Sequence, residues 1–369
     1  MQDRSVLYRR VVVDQDNPPD PHCKAAGDVD GDGNPDLLAA SASGGGLFWY
    51  RNPGWSKHRI AAGAFTTDMA VADLDGDRHL DVIIPSDAGL LWFRNPLADG
   101  NDPATDPWPA INIGPEGARM HDVEVADLDG DGELEIVTRH QSGFGKQMGD
   151  RVWVWKRRTH TAWGHRTFSC PHGEGLCLAD VDGDGRPEIV IGGRWYGNRG
   201  DVLHGEWQEH LYMDAERFAT GWTRGDVMVQ AGDLDGDGRL EIALSPAEGT
   251  GRLSWFAAPD DPRDPDWTEH VIEAVLDHAH GLAVGDVDGD GTPDLAVAKM
   301  HQATPPQEVC VYYNRDRGQA WSKQVLAATG SHNIVLVDTG GDGRLDLFGA
   351  NWNNRSSTGG ALELWLNGR

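Results

Sequence analysis

Four histidines of this chain stand in one register. His22, His121, His280 and His332 each lie six residues before an aspartate that opens an acidic turn: Asp28, Asp127, Asp286 and Asp338. Thr67, Glu174 and Val227 hold that register in the other copies, with Asp68, Asp122, His172, Asp226, His278 and Asn333 close by. A second set follows four of the turns, where the next apolar run gives way to His140, Arg194, His301 or Asn351 and Trp352. Neutral imidazole ligates zinc, manganese or iron, and it moves protons near neutral pH. If the two sets meet, they suit a β-elimination. A base takes a proton beside a carbonyl, a cation steadies the enolate and an acid protonates the leaving oxygen. The candidate catalytic residues are therefore His22, Asp68, His121, His140, His172, Arg194, His280, His301, His332 and Trp352. Arg194 or an additional divalent metal at the central histidines would supply the cation, and Trp352 would stack on a sugar ring. Asp68 and Glu174 also offer the acid pair that a glycosidase needs.

The acidic turns carry a different chemistry. Six copies place acids at positions one, three, five and nine, with glycines that let the chain fold back. They are Asp28, Asp30, Asp32 and Asp36; Asp73, Asp75, Asp77 and Asp81; Asp127, Asp129, Asp131 and Glu135; Asp180, Asp182, Asp184 and Glu188; Asp233, Asp235, Asp237 and Glu241; and Asp286, Asp288, Asp290 and Asp294. Hard oxygen ligands in this number suit structural calcium. The spacing departs from an EF-hand, because the ninth-position acid ends the loop and no helix flanks it. Arg78 stands where the other copies have glycine, and a seventh copy has Gly340 in place of the second aspartate.

These residues need elements to hold them. The turns recur after 45 residues and then every 52 to 54, a period that fits four strands. Each unit reads as a small-residue strand, the turn, a β-rich run, an aromatic strand such as LFWYRNP, and a strand opened by Trp such as WSKHRI. Seven such units predict an all-β, seven-bladed propeller filling residues 1–369 as one domain. The last unit lacks a fourth strand, and YRRVVVD (Tyr8 to Asp14) is the segment expected to supply it and close the ring. His58, His210 and His270 fall in a W-x-x-H pattern of the outer strand, where a structural role is expected. No helical periodicity stands out.

The formal charge of −27 argues against nucleic-acid binding, and no apolar run approaches a membrane span of about 18 residues. The N-terminal MQDRSVLYRR shows no signal-peptide pattern, while calcium turns favour an extracellular or periplasmic setting. Cys23, Cys170, Cys177 and Cys310 leave disulfides and free thiols equally open.

The turns resemble FG-GAP or VCBS repeats, the calcium-loop units of integrin-type propellers, over nearly the whole chain. That resemblance implies structural ions between the first and second strand of each blade, remote from chemistry. LSWFAAPDDPRDPDWTEHVI (Leu253 to Ile272), HGLAVGDVDGDGTPDLAVAKM (His280 to Met300) and WYRNPGWSKHRI are similar to the propeller domain of fungal aldos-2-ulose dehydratases. This implies water elimination from oxidised sugars, without the isomerase step assigned to the cupin domains of that family. Propeller-type polysaccharide lyases with central histidines imply cleavage beside a uronate. The expectation is a carbohydrate lyase, with a carbohydrate substrate and no nucleic-acid partner. The alternative is a non-catalytic FG-GAP propeller that binds a glycan or a protein.

Overall fold

A computed structural model describes residues 6–16, 18–65, 67–114, 120–141, 150–159, 162–223, 225–352 and 360–368. Seven antiparallel sheets of four strands follow one another along the chain. Blade 1 comprises Pro21–Gly27, Asp36–Ser41, Leu47–Arg51 and Ser56–Ala61, and blade 2 Ala70–Ala72, Asp81–Ser86, Gly89–Phe93 and Ala110–Asn112. Blade 3 comprises Met120–Ala126, Glu135–His140, Asp150–Arg157 and Trp163–Cys170; blade 4 Cys177–Ala179, Glu188–Ile191, Arg194–Gly197 and Gln208–Leu211. Blade 5 comprises Val227–Gly232, Glu241–Pro246, Thr250–Ala257 and Thr268–Asp277; blade 6 Gly281–Gly285, Asp294–Ala298, Val309–Arg315 and Ala320–Ala327. Blade 7 is Ile334–Val337, Asp346–Gly349 and Leu362–Gly368, with Leu7–Asp14 as its outermost strand, paired from Leu7 with Gly368 to Asp14 with Leu362. Each inner strand contacts those of its two neighbours, and the inner strand of blade 7 contacts that of blade 1.

The core lies between blades. Trp49, Trp92, Trp155, Trp195, Trp255 and Trp365, all on third strands, are buried. The W-x-x-H histidines sit directly across from three of them: His58 on Trp49, His210 on Trp195 and His270 on Trp255, with stacked rings 4.6, 4.2 and 4.0 Å apart. These cross-strand pairs stiffen the two outer strands.

An asparagine clasp ties neighbouring blades together. The Nδ2 groups of Asn52, Asn95, Asn198, Asn314 and Asn367 donate to the carbonyls of Thr339, Val29, Leu128, Leu234 and Val287 in the preceding blade. Asn52 joins blade 1 to blade 7. In the same layer the ninth-position acid is stapled to backbone. Asp36 accepts from Val29 N at 3.1 Å and Asn52 N at 2.9 Å, and burial pushes its carboxyl up to about 7. Replacing Asn314 by Ala strands a buried carbonyl, Leu234 O, and a half-buried one, Pro293 O. The expected loss is about 2 kcal/mol by chemical denaturation; a loss below about 1 kcal/mol would remove the clasp from the stability argument.

One feature departs from expectation. A short helix, α1 (Ala215–Gly221), follows blade 4, capped by the Asp214 side chain accepting from Arg217 N. Seven residues are too few to show a period. All four cysteines are buried free thiols. Among the described residues, no helix is long and apolar enough to cross a membrane.

Candidate functional site

The turns lie at one end of the inner strands and the histidines at the other, here called the mouth. Local backbone aims two of them. Pairing in blade 1 runs from Pro21 with Ser41 to Cys23 with Ala40, and in blade 3 from Met120 with His140 to Asp122 with Arg139. His22 and His121 are the extra residues of these two β-bulges, which re-aim a side chain out of the strand's alternation. His332 is followed by Asn333 in the left-handed region at φ 58°.

The in-register residues meet across the axis. His121 Nε2 lies 3.0 Å from Glu174 Oε2, and its Nδ1 lies 3.2 Å from Asp122 Oδ1. His280 Nε2 faces Glu174 Oε1 at 3.3 Å, and its Nδ1 lies 3.0 Å from Asn333 Oδ1. The rings of His280 and His332 stack at 3.9 Å, and those of His332 and His22 at 4.6 Å. Thus Glu174 of blade 4 bridges blades 3 and 6. Asn333 of blade 7 donates to Thr67 O at 3.0 Å, the residue holding the same register ahead of blade 2.

Charge separates within this cluster. Burial alone would lower His121, but Asp122 and Glu174 outweigh it and hold the imidazole well above its ordinary range. His280 is raised against its burial by Glu174. The two imidazoles overcome burial at Glu174 and hold its carboxyl below the usual carboxylate range. His22 and His332 go the other way: burial brings His22 down to about 3, and burial with His280 and His22 holds His332 well below its ordinary value. The cluster thus divides into His121, Glu174 and His280, which favour the ion-paired forms, and two rings, His22 and His332, which favour the neutral form. Lys24, which sequence reasoning passed over, is buried beside them. Its Nζ donates to the carbonyls of Pro21, His22 and Ala350, and burial lowers it to about 7.

Accessibility divides the expected catalytic set. His121, Glu174, His280 and His332 are 8%, 0%, 1% and 3% exposed, so they plug the mouth rather than line an open cleft. The rim is partly open at His22, His301 and Trp352. Trp352 meets His301 edge-on at 4.2 Å and His22 at 4.8 Å. Asp68 accepts from Val123 N at 3.1 Å and so latches blade 2 to blade 3; burial and Asp122 raise it to about 7. His140 closes the second strand of blade 3 opposite Met120. His172 and Arg194 lie apart from the ring stack, His172 near Asp150 and Arg194 on Glu209. Arg194 opens a third strand instead of ending a second one.

Glu248 was not anticipated. Its donor atom, that of Glu174 and that of His280 lie within 4.8 Å of one another, all buried. Glu174 Oε1 and His280 Nε2 have no aligned hydrogen-bond partner, so this trio fits a divalent cation chemically.

In the turns, Gly31 and Gly33 at φ 74° and 91° let Asp28 accept from Asp32 N and Gly33 N. The donor atoms of Asp28, Asp30 and Asp32 converge within 4.8 Å, as do the corresponding trios in blades 2 and 4 and that of Asp127, Asp129 and Glu135 in blade 3. Asp75 Oδ1, Asp129 Oδ1 and Asp233 Oδ1 are buried without a hydrogen-bond partner, as an acceptor awaiting a cation would be. Basic side chains rim them: Arg94 on Asp75 and Asp77, and Lys156 at 2.7, 2.7 and 2.8 Å from Asp129, Asp131 and Glu135.

The FG-GAP-like repeat model matches residues 28–84, 73–138, 180–244, 233–297 and 286–349. The chain belongs to this family. No curated protein matches it. Solved structures share the fold of this FG-GAP propeller at low identity. One is an Agrocybe aegerita lectin described for specific recognition of non-reducing terminal N-acetylglucosamine (18% identity, 87% of this chain, 81% of that one, TM-score 0.54). Another is BBS1N in complex with ARL6DN (15%, 99% and 97%, 0.59), and a third is the biofilm matrix protein Bap1 of V. cholerae (11%, 99% and 92%, 0.52).

Proposed function

We propose that this FG-GAP propeller is a glycan-binding protein that takes a sugar ring at the rim of its mouth. The observation that carries this reading is the division of the mouth. His121, Glu174, His280 and His332 are buried, while Trp352, held edge-on by His22 and His301, keeps part of its surface accessible. An amphipathic indole of this kind offers a flat apolar face with polar neighbours. The lectin among the structural neighbours supports a glycan; the BBS1N complex makes a protein the rival ligand. We further assign calcium to the six complete turns, as a stiffener of the blades, on the strength of their convergent and orphaned carboxylates.

A glycan array with wild type and Trp352→Ala tests the reading. Loss of an anchor residue is worth about 2 kcal/mol, roughly thirtyfold in affinity. An array without signal, or a Trp352→Ala protein that binds as well as wild type, rejects it.

A carbohydrate lyase is the second reading, favoured by the charged His121–Glu174–His280 group beside neutral His332. There His121 and His332 would exchange protons with the substrate, and a divalent cation on Glu174, Glu248 and His280, replacing the proton of His280, would supply Lewis acidity. Any array ligand converted to an unsaturated product absorbing in the ultraviolet, lost in His280→Ala, would establish this reading over simple binding.

A further inference from the structure

The chain is strongly acidic, yet the described titratable groups lining one cavity are all basic. It measures about 450 Å³ and opens at the mouth end between blades 3 and 4, against α1. Among the described residues its titratable lining groups are Arg139, His172 and Arg194, with no aspartate or glutamate. Met213, Phe218 and Trp222 form an apolar wall, with the last two rings stacked at 5.7 Å. The wall needs Gly192 close by: a Cβ there would come within 3.1 Å of the Phe218 ring and 2.8 Å of Val227 Cγ2.

The guanidinium groups are unusually placed. Arg139 is 2% exposed. Its Nη1 donates to Gly175 O at 2.8 Å and its Nη2 to Pro171 O at 3.2 Å. Carbonyls fix its orientation without cancelling its charge. Among the described residues Arg139 forms no ion pair, and its Nε–H has no acceptor. Arg194 gives Nη1 to Glu209 Oε2 at 2.9 Å, but its Nε–H is also buried without an acceptor. His172 is held from behind, its Nδ1 3.2 Å from Asp150 Oδ2. Burying a cation without a counter-charge costs several kcal/mol. A fold carries that cost where an anion arrives from outside, and guanidinium is the group suited to a carboxylate.

We infer that this cavity is a binding site for a small ring-bearing carboxylate. The cations take the carboxylate and the Phe218–Trp222 wall takes the ring. Taken with the glycan reading, on which only this last step rests, the ligand is a uronic acid residue and the glycan an acidic one. The site differs from the Trp352 rim in place and in chemistry, so the two can be tested apart.

Titration calorimetry on the full chain in calcium buffer uses three probes: methyl galacturonate glycoside with a free carboxylate, the neutral methyl galactoside, and benzoate. The uronate is expected to bind at least tenfold more tightly than the galactoside, and more weakly as salt rises. Ala219→Asp places a resident carboxylate on the exposed cavity rim without touching either arginine, and should weaken the uronate at least tenfold; Ala219→Gln should not. Arg194→Met should match Ala219→Asp. Equal binding of uronate and galactoside, or indifference to Ala219→Asp, overturns the site. Benzoate binding as tightly as the uronate, with the same variant pattern, keeps the anion site and overturns its assignment to a sugar. Array ligands lost only in Trp352→Ala keep the glycan reading while the anion site falls.

Discussion

Removing divalent cations is expected to lower the unfolding temperature more than any single substitution in this chain. Four acids in each of six turns account for 24 of the 59 acidic residues. The leading aspartates fold around backbone N–H groups, and in blades 1 to 4 the donor atoms of three acids of the turn lie within 4.8 Å of one another. Without a cation, that convergence is like-charge repulsion beside buried orphan acceptors. With calcium at about 100 times its Kd, each occupied turn contributes about 2.7 kcal/mol. Even three such turns reach about 8 kcal/mol, comparable to the whole stability of an ordinary domain. The expected shift between chelator and 10 mM calcium therefore exceeds about 10 °C. Magnesium should restore little of it, because it demands tighter octahedral geometry and gives up water reluctantly. Blade 3 should gain least, because Lys156 already sits on three of its carboxylate oxygens. A melting curve that is the same with and without calcium would remove the ions from the stability of this fold.

The turns were readable in sequence because their chemistry repeats. An Asp-x-Asp-Gly-Asp spacing forces one backbone path, so its period counts the blades. The histidines were readable for a derived reason: a strand of fixed length joins each to its turn, so equal spacing means equal height on the axis. What broke the period stayed hidden. Glu248 lies in a strand connection of blade 5 and has no counterpart in register. Lys24 reads as an ordinary surface lysine until blade 7 places Ala350 O over it. Arg139 alternates along a strand like any outward residue. Only the α1 insertion, with its Phe218 and Trp222, turns the space beside it into a cavity. Burial was equally invisible. The register predicts that the histidines converge, but not that their rings stack and close the mouth.

That closure makes Glu174 the residue whose replacement should matter most. Glu174→Gln keeps the shape and removes the one charge that both His121 and His280 face. Breaking a buried pair in this way costs about 3 kcal/mol. The pH dependence follows from the directions of the shifts. Glu174 is lowered from 4.5, so its contribution is present above that pH and lost as pH falls through the folded value. His121 and His280 are raised from 6.5, so their contribution is present below that pH and lost as pH rises through their folded values. All three act together only between about pH 4.5 and 6.5. His22 and His332, lowered in the folded state, cost stability as pH falls below 6.5, but they do so in both proteins and largely cancel in the difference. The gap in unfolding free energy between wild type and Glu174→Gln should therefore peak near pH 5.5 and narrow on either side. A gap that stays constant from pH 4 to 8 would dismiss the ion-paired cluster. A divalent cation on Glu174, Glu248 and His280 needs neutral imidazole, so it competes with the proton that the ion pair requires. A wild-type advantage that grows with pH and with added manganese would give the three groups to the metal and take them from the ion pair.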